Sequence, residues 1–184
     1  MDAMDKTAKV SACASNGARN AILSAFRGAL FENGSHRISV VELVRRAGVA
    51  RSTFYEHFEN VEDVLRENLR RPFGPLAATA RGEQVGAALE LVLGHMYERR
   101  TYALALLDGG AGSIVRNTLV EMIGGSPAAA YAIAGAQLAT IAAWLEGRLP
   151  ITTAGLTGIL ERLSQHTIRS DPKQIPLGAL PSRF

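Results

Sequence analysis

Five hydrogen-bonding side chains fall within one short stretch: Arg51, Ser52, Thr53, Tyr55 and His57. A guanidinium fork, two short hydroxyls, a phenol and an imidazole have the reach and polarity to meet phosphate oxygens and base edges. At helical spacing they lie away from Phe54 and Phe58, which stand one turn apart and face a core. Chemistry of bond making is not written here. His36, His57, His95 and His166 are scattered, and no pair has metal-ligand spacing on one helix. No Ser/His/Asp or Cys/His arrangement stands out, and no glycine run forms a phosphate loop or a dinucleotide fingerprint. The reading is of a binding protein, not an enzyme, with no catalytic residue, no metal and no cofactor.

The elements that must hold this polar face are also legible. Ser39 followed by Glu42 is a capping box that starts a helix, and Val40, Leu43, Val44 and Ala47 give that helix an apolar side. Gly48 supplies a tight turn, Val49 tucks inward, and the polar helix follows. Two short helices joined by a glycine turn, the second polar on its free face, make a major-groove reader. A preceding helix starts at Asn16, carries Ile22, Phe26, Ala29 and Leu30 on one face, and stops at Asn33-Gly34. A fourth runs over 60–71, where Pro72 and Pro75 break the pattern and mark a junction. Between Gly17 and Phe58 six arginines (19, 27, 37, 45, 46 and 51) stand against Glu32, Glu42 and Glu56, so this stretch holds the whole of the chain's net +3. Positive charge sits where nucleic acid would lie.

The Arg19-x-x-Ile22-Leu23 entry, Phe31 with Gly34, Ala47-Gly48-Val49 and the run from Thr53 to Phe58 closely resemble the TetR family, with matching spacing over 19–71. The resemblance implies a sequence-specific transcriptional regulator, a ligand-responsive repressor that binds double-stranded, palindromic operator DNA as a homodimer. It places Ser39 on a phosphate, Arg51 and Ser52 nearest base edges, and Thr53, Tyr55 and His57 mainly on the backbone. Two of these have a second reading, Tyr55 as half-buried packing and His57 as a cap near its helix end. Three positions depart from the family pattern. Ala50 stands where serine or threonine usually caps the reading helix, Val61 where a lysine often meets phosphate, and Val44 where a small alanine is usual. These departures leave an alternative open: a TetR-like helical scaffold with weakened or lost DNA binding, acting as a ligand- or protein-interaction module.

Helical patterning continues to the end of the chain, and the expected fold class is all-α, about nine helices. An N-terminal three-helix reading domain (16–71) precedes a helical dimerisation and effector-binding domain (76–168), between a flexible tail (1–15) and an irregular one (169–184). Helices are expected over 84–100, 102–107, 112–123, 127–148 and from Thr152 or Thr153 to about 168. The segment 126–148 is rich in alanine, which permits close helix approach. With Ile133, Leu138, Ile141, Trp144 and Leu145 it is apolar around much of its circumference. Together with Leu156, Ile159, Leu160 and Leu163 of the last helix it suits the four-helix dimer bundle of TetR-like proteins, or else an intrachain core. His95, Met96, Arg99, Tyr102, Arg116 and Gln137 are candidate contacts for a small-molecule effector among these helices. Cys13 is the single cysteine, which excludes an intrachain disulfide and fits a reducing cytoplasm. No apolar run is expected to reach the roughly 20 residues of a membrane span, and residues 1–15 lack the apolar core of a signal peptide.

Overall fold

A computed structural model describes the backbone of residues 3–33, 37–108 and 110–169, and the side chains of 16–32, 37–107 and 110–165. Among the described residues there are nine helices and no strand: α1 (Ala3–Asn33), α2 (Val40–Ala47), α3 (Arg51–His57), α4 (Val61–Ala80), α5 (Gly86–Glu98), α6 (Arg100–Asp108), α7 (Gly112–Ile123), α8 (Pro127–Leu145) and α9 (Thr153–Arg169). Gly34 and the segment 170–184 lie outside the described residues.

The amino-terminal unit packs by the periodicity of its sequence. Ile22, Phe26, Ala29 and Leu30 of α1, Leu43 of α2, Phe54 of α3 and Val64 and Leu65 of α4 are all buried. Burying each large side chain contributes about 1.5–3 kcal/mol, so this knot of apolar groups fixes how α2 and α3 are presented. Gly48 ends α2 in the left-handed conformation (φ 65°, ψ 32°), and its N–H donates to carbonyls of the last turn. Val49 N–H reaches back to the Val44 carbonyl at 3.2 Å, which closes the turn and aims α3 away from α2.

Helix α1 starts at Ala3, not at Asn16, so the backbone of the segment expected as a tail is helical. Ala3, Ala8, Ala12 and Ala14 are strong helix formers, and propagation from a packed helix end is easier than nucleation. Gly17 costs only about 1 kcal/mol in such an interior and does not stop it.

The break expected at Pro72 and Pro75 is likewise absent, for α4 runs through both prolines to Ala80. Each proline removes a hydrogen bond and strains the preceding turn. Burial of Leu69, Phe73, Leu76 and Ala77 around them holds the helix together. Helix α4 is therefore a single rod that starts beside the reading helix and ends against α7. Arg70 bonds Glu121 (2.8 Å) and Arg81 bonds the Met122 carbonyl (2.9 Å) at that contact.

The expected helix over 84–100 divides into α5 and the start of α6, with Arg99 closing the first. Helix α8 contradicts the expectation that no segment approaches a membrane span. Its 19 residues reach a mean hydropathy of 1.4 and contain no charge, enough to cross a membrane by length and composition. Alanines among the larger apolar groups hid that run from a reading by bulky residues. In the fold α8 is a core helix, with Ile133, Ala134, Ile141 and Trp144 buried. Gln137 is buried with them and donates to the Leu76 carbonyl at 3.2 Å and to Ser164 Oγ at 3.4 Å, tying α8 to α4 and α9.

Candidate nucleic-acid interface

Helix α3 presents the polar face that its sequence promised. Phe54 is fully buried and Phe58 nearly so, which turns Arg51, Ser52 and Tyr55 outward and leaves Thr53 and His57 half-buried. Arg51 donates from Nη2 to the Tyr55 hydroxyl at 3.3 Å, and its guanidinium carbon lies 5.6 Å from the Tyr55 ring centroid. Tyr55 is 49% exposed, so it is neither idle nor sunk in the core, and it holds the arginine extended over its own ring. His57 sits in the last turn, where a cationic imidazole also suits the helix dipole, so its capping reading stands beside its polar one.

The start of α3 is bare. Ala50 adopts the extended geometry of a capping residue (φ −71°, ψ 153°) with no side chain to accept a hydrogen bond. The start of α2 differs: Ser39 Oγ accepts from Glu42 N–H at 3.2 Å. That leaves the exposed Ser39 hydroxyl its own hydrogen to donate, as a phosphate contact requires. Only this half of the capping box forms. The Glu42 carboxylate turns to Arg45 (2.9 and 2.8 Å) and Arg46 (2.7 Å), and hydrogen bonds from these two guanidiniums hold its pKa down to about 2.

Charge on this face is thus more selective than the sequence count implied. Arg46 also pairs with Glu32 at 2.6 Å, and Arg19 pairs with Glu67 at 2.8 Å while its guanidinium sits over the Phe58 ring at 5.7 Å. Arg27 is occupied by Asn68 at 3.0 Å. Arg51 is the one arginine or lysine among the candidate reading residues, and it has no carboxylate partner among the described residues. At the head of α4, Asn60 accepts from Asp63 N–H at 3.0 Å and Asp63 accepts from Glu59 N–H at 3.2 Å. With Glu62 beside them, this end is acidic where a lysine at position 61 would have been basic, and Arg66 answers it by pairing with Asp63 and Glu62.

The other candidate residues separate. A cavity of about 520 Å³ is enclosed by α1, α4 and the helices from α5 to α8, and His95, Met96, Arg99 and Tyr102 line it. Burial pushes the Tyr102 phenol above its ordinary pKa, so it stays a hydrogen-bond donor. Arg116 is exposed on α7 and Gln137 is committed to the core, so neither is among the lining residues. Among the lining residues missed from the sequence are Arg27, Phe31 and Arg71. All three belong to the reading unit or its edge, and a cavity confined to the carboxyl-terminal helices would not include them. The one available signal was Phe31, an aromatic off the buried Ile22–Phe26–Leu30 face.

Residues 22–67 match the domain described as "Bacterial regulatory proteins, tetR family". No curated protein sequence matches the chain significantly. Among solved structures, a TetR transcriptional regulator from Streptococcus agalactiae 2603V is similar, with TM-score 0.57 and 23% identity over 85% of this chain and 98% of that one. A dihydroxyacetone kinase operon activator, DhaS, has TM-score 0.46 and 19% identity over 83% of this chain and 96% of its own. A tetR-family transcriptional regulator from Streptomyces coelicolor has TM-score 0.39 and 21% identity over 88% and 92%. The first of these is a likeness of fold, and it extends beyond the matched domain into the helices that follow. Residues 22–67 thus form a domain of the tetR family of bacterial regulatory proteins.

Proposed function

We propose that the chain is a ligand-responsive repressor that binds a palindromic operator in the cytoplasm as a homodimer. The observation that carries this reading is Arg51: exposed, stacked on Tyr55, free of any carboxylate among the described residues, and beside the exposed Ser52. A guanidinium so held can meet both acceptors of a guanine edge, while Ser39, Thr53, Tyr55 and His57 anchor the helix on phosphates. One seven-residue helix reads too few bases for useful selectivity, and two readers a DNA turn apart on one dimer read a palindrome.

The dimer forms through α8 and α9. While one side of α8 is core, Ala128, Ala132, Gly135 and Ala139 line its outer side at helical spacing, exposed or half-buried. Small side chains there allow a second α8 to approach closely. The cavity holds the effector, and repression ends when the effector favours a dimer whose reading helices are wrongly spaced, since only differential affinity shifts such an equilibrium.

The test is selection from a pool of random duplexes by the full chain, sequenced at two salt concentrations. Recovery of a palindrome that Arg51→Ala abolishes, with the dimer intact by sedimentation, supports the reading. Retention without sequence preference, or none, moves the chain to the scaffold alternative that Ala50 and the acidic head of α4 leave open.

A further inference from the structure

We infer that the cavity takes an amphipathic anion, an apolar body with a carboxylate or similar negative head, seated head-outward on Arg27, Arg71 and Arg99. This rests on the reading of the cavity as an effector site and adds the chemistry of what fills it. The interior is apolar: Leu30, Leu69, Phe73, Met96, Leu106 and Ile141 are among the side chains that line it. Its volume, about 520 Å³, lies in the range of sites that enclose a small organic molecule.

The charged lining is one-sided. Arg27, Arg71 and Arg99 stand against a single carboxylate, Glu67. Glu67 is already spent, because Arg19 takes one oxygen at 2.8 Å and Arg70 the other at 3.4 Å, and neither arginine lines the cavity. Arg71 and Arg99 have no ion pair among the described residues, and Arg27 has only the neutral Asn68 oxygen at 3.0 Å. Two of the three are held in place by neighbours in the cavity wall. The Asn68 amide that receives Arg27 is itself fixed by donating to the Val64 carbonyl at 2.9 Å, and Arg99 lies over the Phe31 ring at 4.3 Å. Tyr102, whose phenol burial pushes further above its ordinary pKa, adds a neutral donor inside. A cationic ligand would meet like charge at the mouth, and a neutral one would leave it unanswered. Because the three arginines are largely exposed, water screens them, and the preference they confer is of modest size.

The experiment is calorimetric titration of the full chain with three ten-carbon probes: decanoate, decanol and decyltrimethylammonium. Decanoate is expected to bind saturably, one per protomer, and about tenfold or more tighter than the other two, the scale of one or two charge-assisted hydrogen bonds. Arg99→Gln and Arg27→Gln, checked for an unchanged melting temperature, should each weaken decanoate several-fold and leave decanol unaffected. Equal binding of the three probes, preference for the cation, no binding of any probe, or decanoate affinity indifferent to both variants would overturn the assignment. A parallel arm adds decanoate to the operator complex. Binding without release of DNA would keep the ligand class and sink the effector reading instead.

Discussion

Phe31, in the last turn of α1, faces Tyr102 of α6 with ring centroids 5.0 Å apart and planes tilted by 55°. Arg99 covers the same phenylalanine ring, its guanidinium carbon 4.3 Å from the centroid. The helix that supports the reading unit is thus fastened to the carboxyl-terminal helices by an aromatic and a cation, both at the edge of the cavity. Phe31→Ala and Tyr102→Ala should therefore be coupled. A double-mutant cycle by urea unfolding is expected to give an interaction of about 1 kcal/mol, the usual worth of such a pair beyond its buried area. Additivity within a few tenths would mean that the two rings are merely neighbours. The same variants should blunt the response of operator binding to any ligand in the cavity.

Arg51→Ala should cost about 1–3 kcal/mol in discrimination between the operator and a single-base variant, since it removes a two-acceptor contact. Arg45→Ala should weaken binding to both DNAs alike or not at all, because Arg45 is tied to Glu42 and stands on α2. Competitive binding measured on matched and mismatched duplexes separates the two. Loss of discrimination in Arg45→Ala with retention in Arg51→Ala would reverse the assignment of the reading helix.

The uncapped start of α3 offers a gain. Ala50 already has the backbone of a capping residue, so Ala50→Ser needs no rearrangement for its hydroxyl to accept from the Thr53 N–H. Stability in urea should rise by about 1 kcal/mol with an unchanged denaturant slope. No gain would mean that this N–H is already satisfied in solution.

Much of the reading unit was legible because local rules decide it. The Ile22, Phe26 and Leu30 spacing, the Ser39 cap, the Gly48 turn and the burial of Phe54 and Phe58 each follow from a few neighbouring residues. Where tertiary packing outvotes local preference, the sequence misled. Pro72 and Pro75 are helix breakers by type, yet the apolar groups around them are buried in α4 and the helix persists. Helix α1 passes Asn16 and Gly17, whose local meanings are cap and stop. The cavity was half legible for a related reason. His95, Met96, Arg99 and Tyr102 lie on the right helices, but which side of α7 and α8 faces inward depends on packing partners, and this turned Arg116 to solvent and Gln137 into the core. Arg27 and Phe31 enter the site because the end of α1 lies beside α4 and reaches Tyr102 of α6.

Val61→Lys should restore a phosphate contact at the head of α4. Val61 is half-buried against the core, but a lysine can keep its stem there and raise its ammonium to the surface. Plotted against the logarithm of salt, operator affinity should steepen by about one unit of slope and rise at low salt. The neighbouring Glu62 and Asp63 compete for the new charge, so Val61→Lys with Glu62→Gln should gain more than Val61→Lys alone. An unchanged slope in both would place the head of α4 off the DNA backbone.

Glu42 ties stability to pH in the acid range. Hydrogen bonds from Arg45 and Arg46 lower its pKa from an ordinary 4.5 to about 2 in the folded chain. A group whose folded value is depressed contributes stability that is whole above its unfolded value and is lost as pH falls through the folded one. The contribution of Glu42 is therefore complete above about pH 4.5 and disappears between there and about pH 2. Glu42→Gln should lower the melting temperature at pH 7 and flatten its dependence on pH within that window, the two curves converging at the acid end. The cluster is exposed, so added salt should shrink the difference between wild type and variant at neutral pH. If the difference instead persists unchanged down to pH 2, the glutamate acts through its packing on α2 and not through its charge.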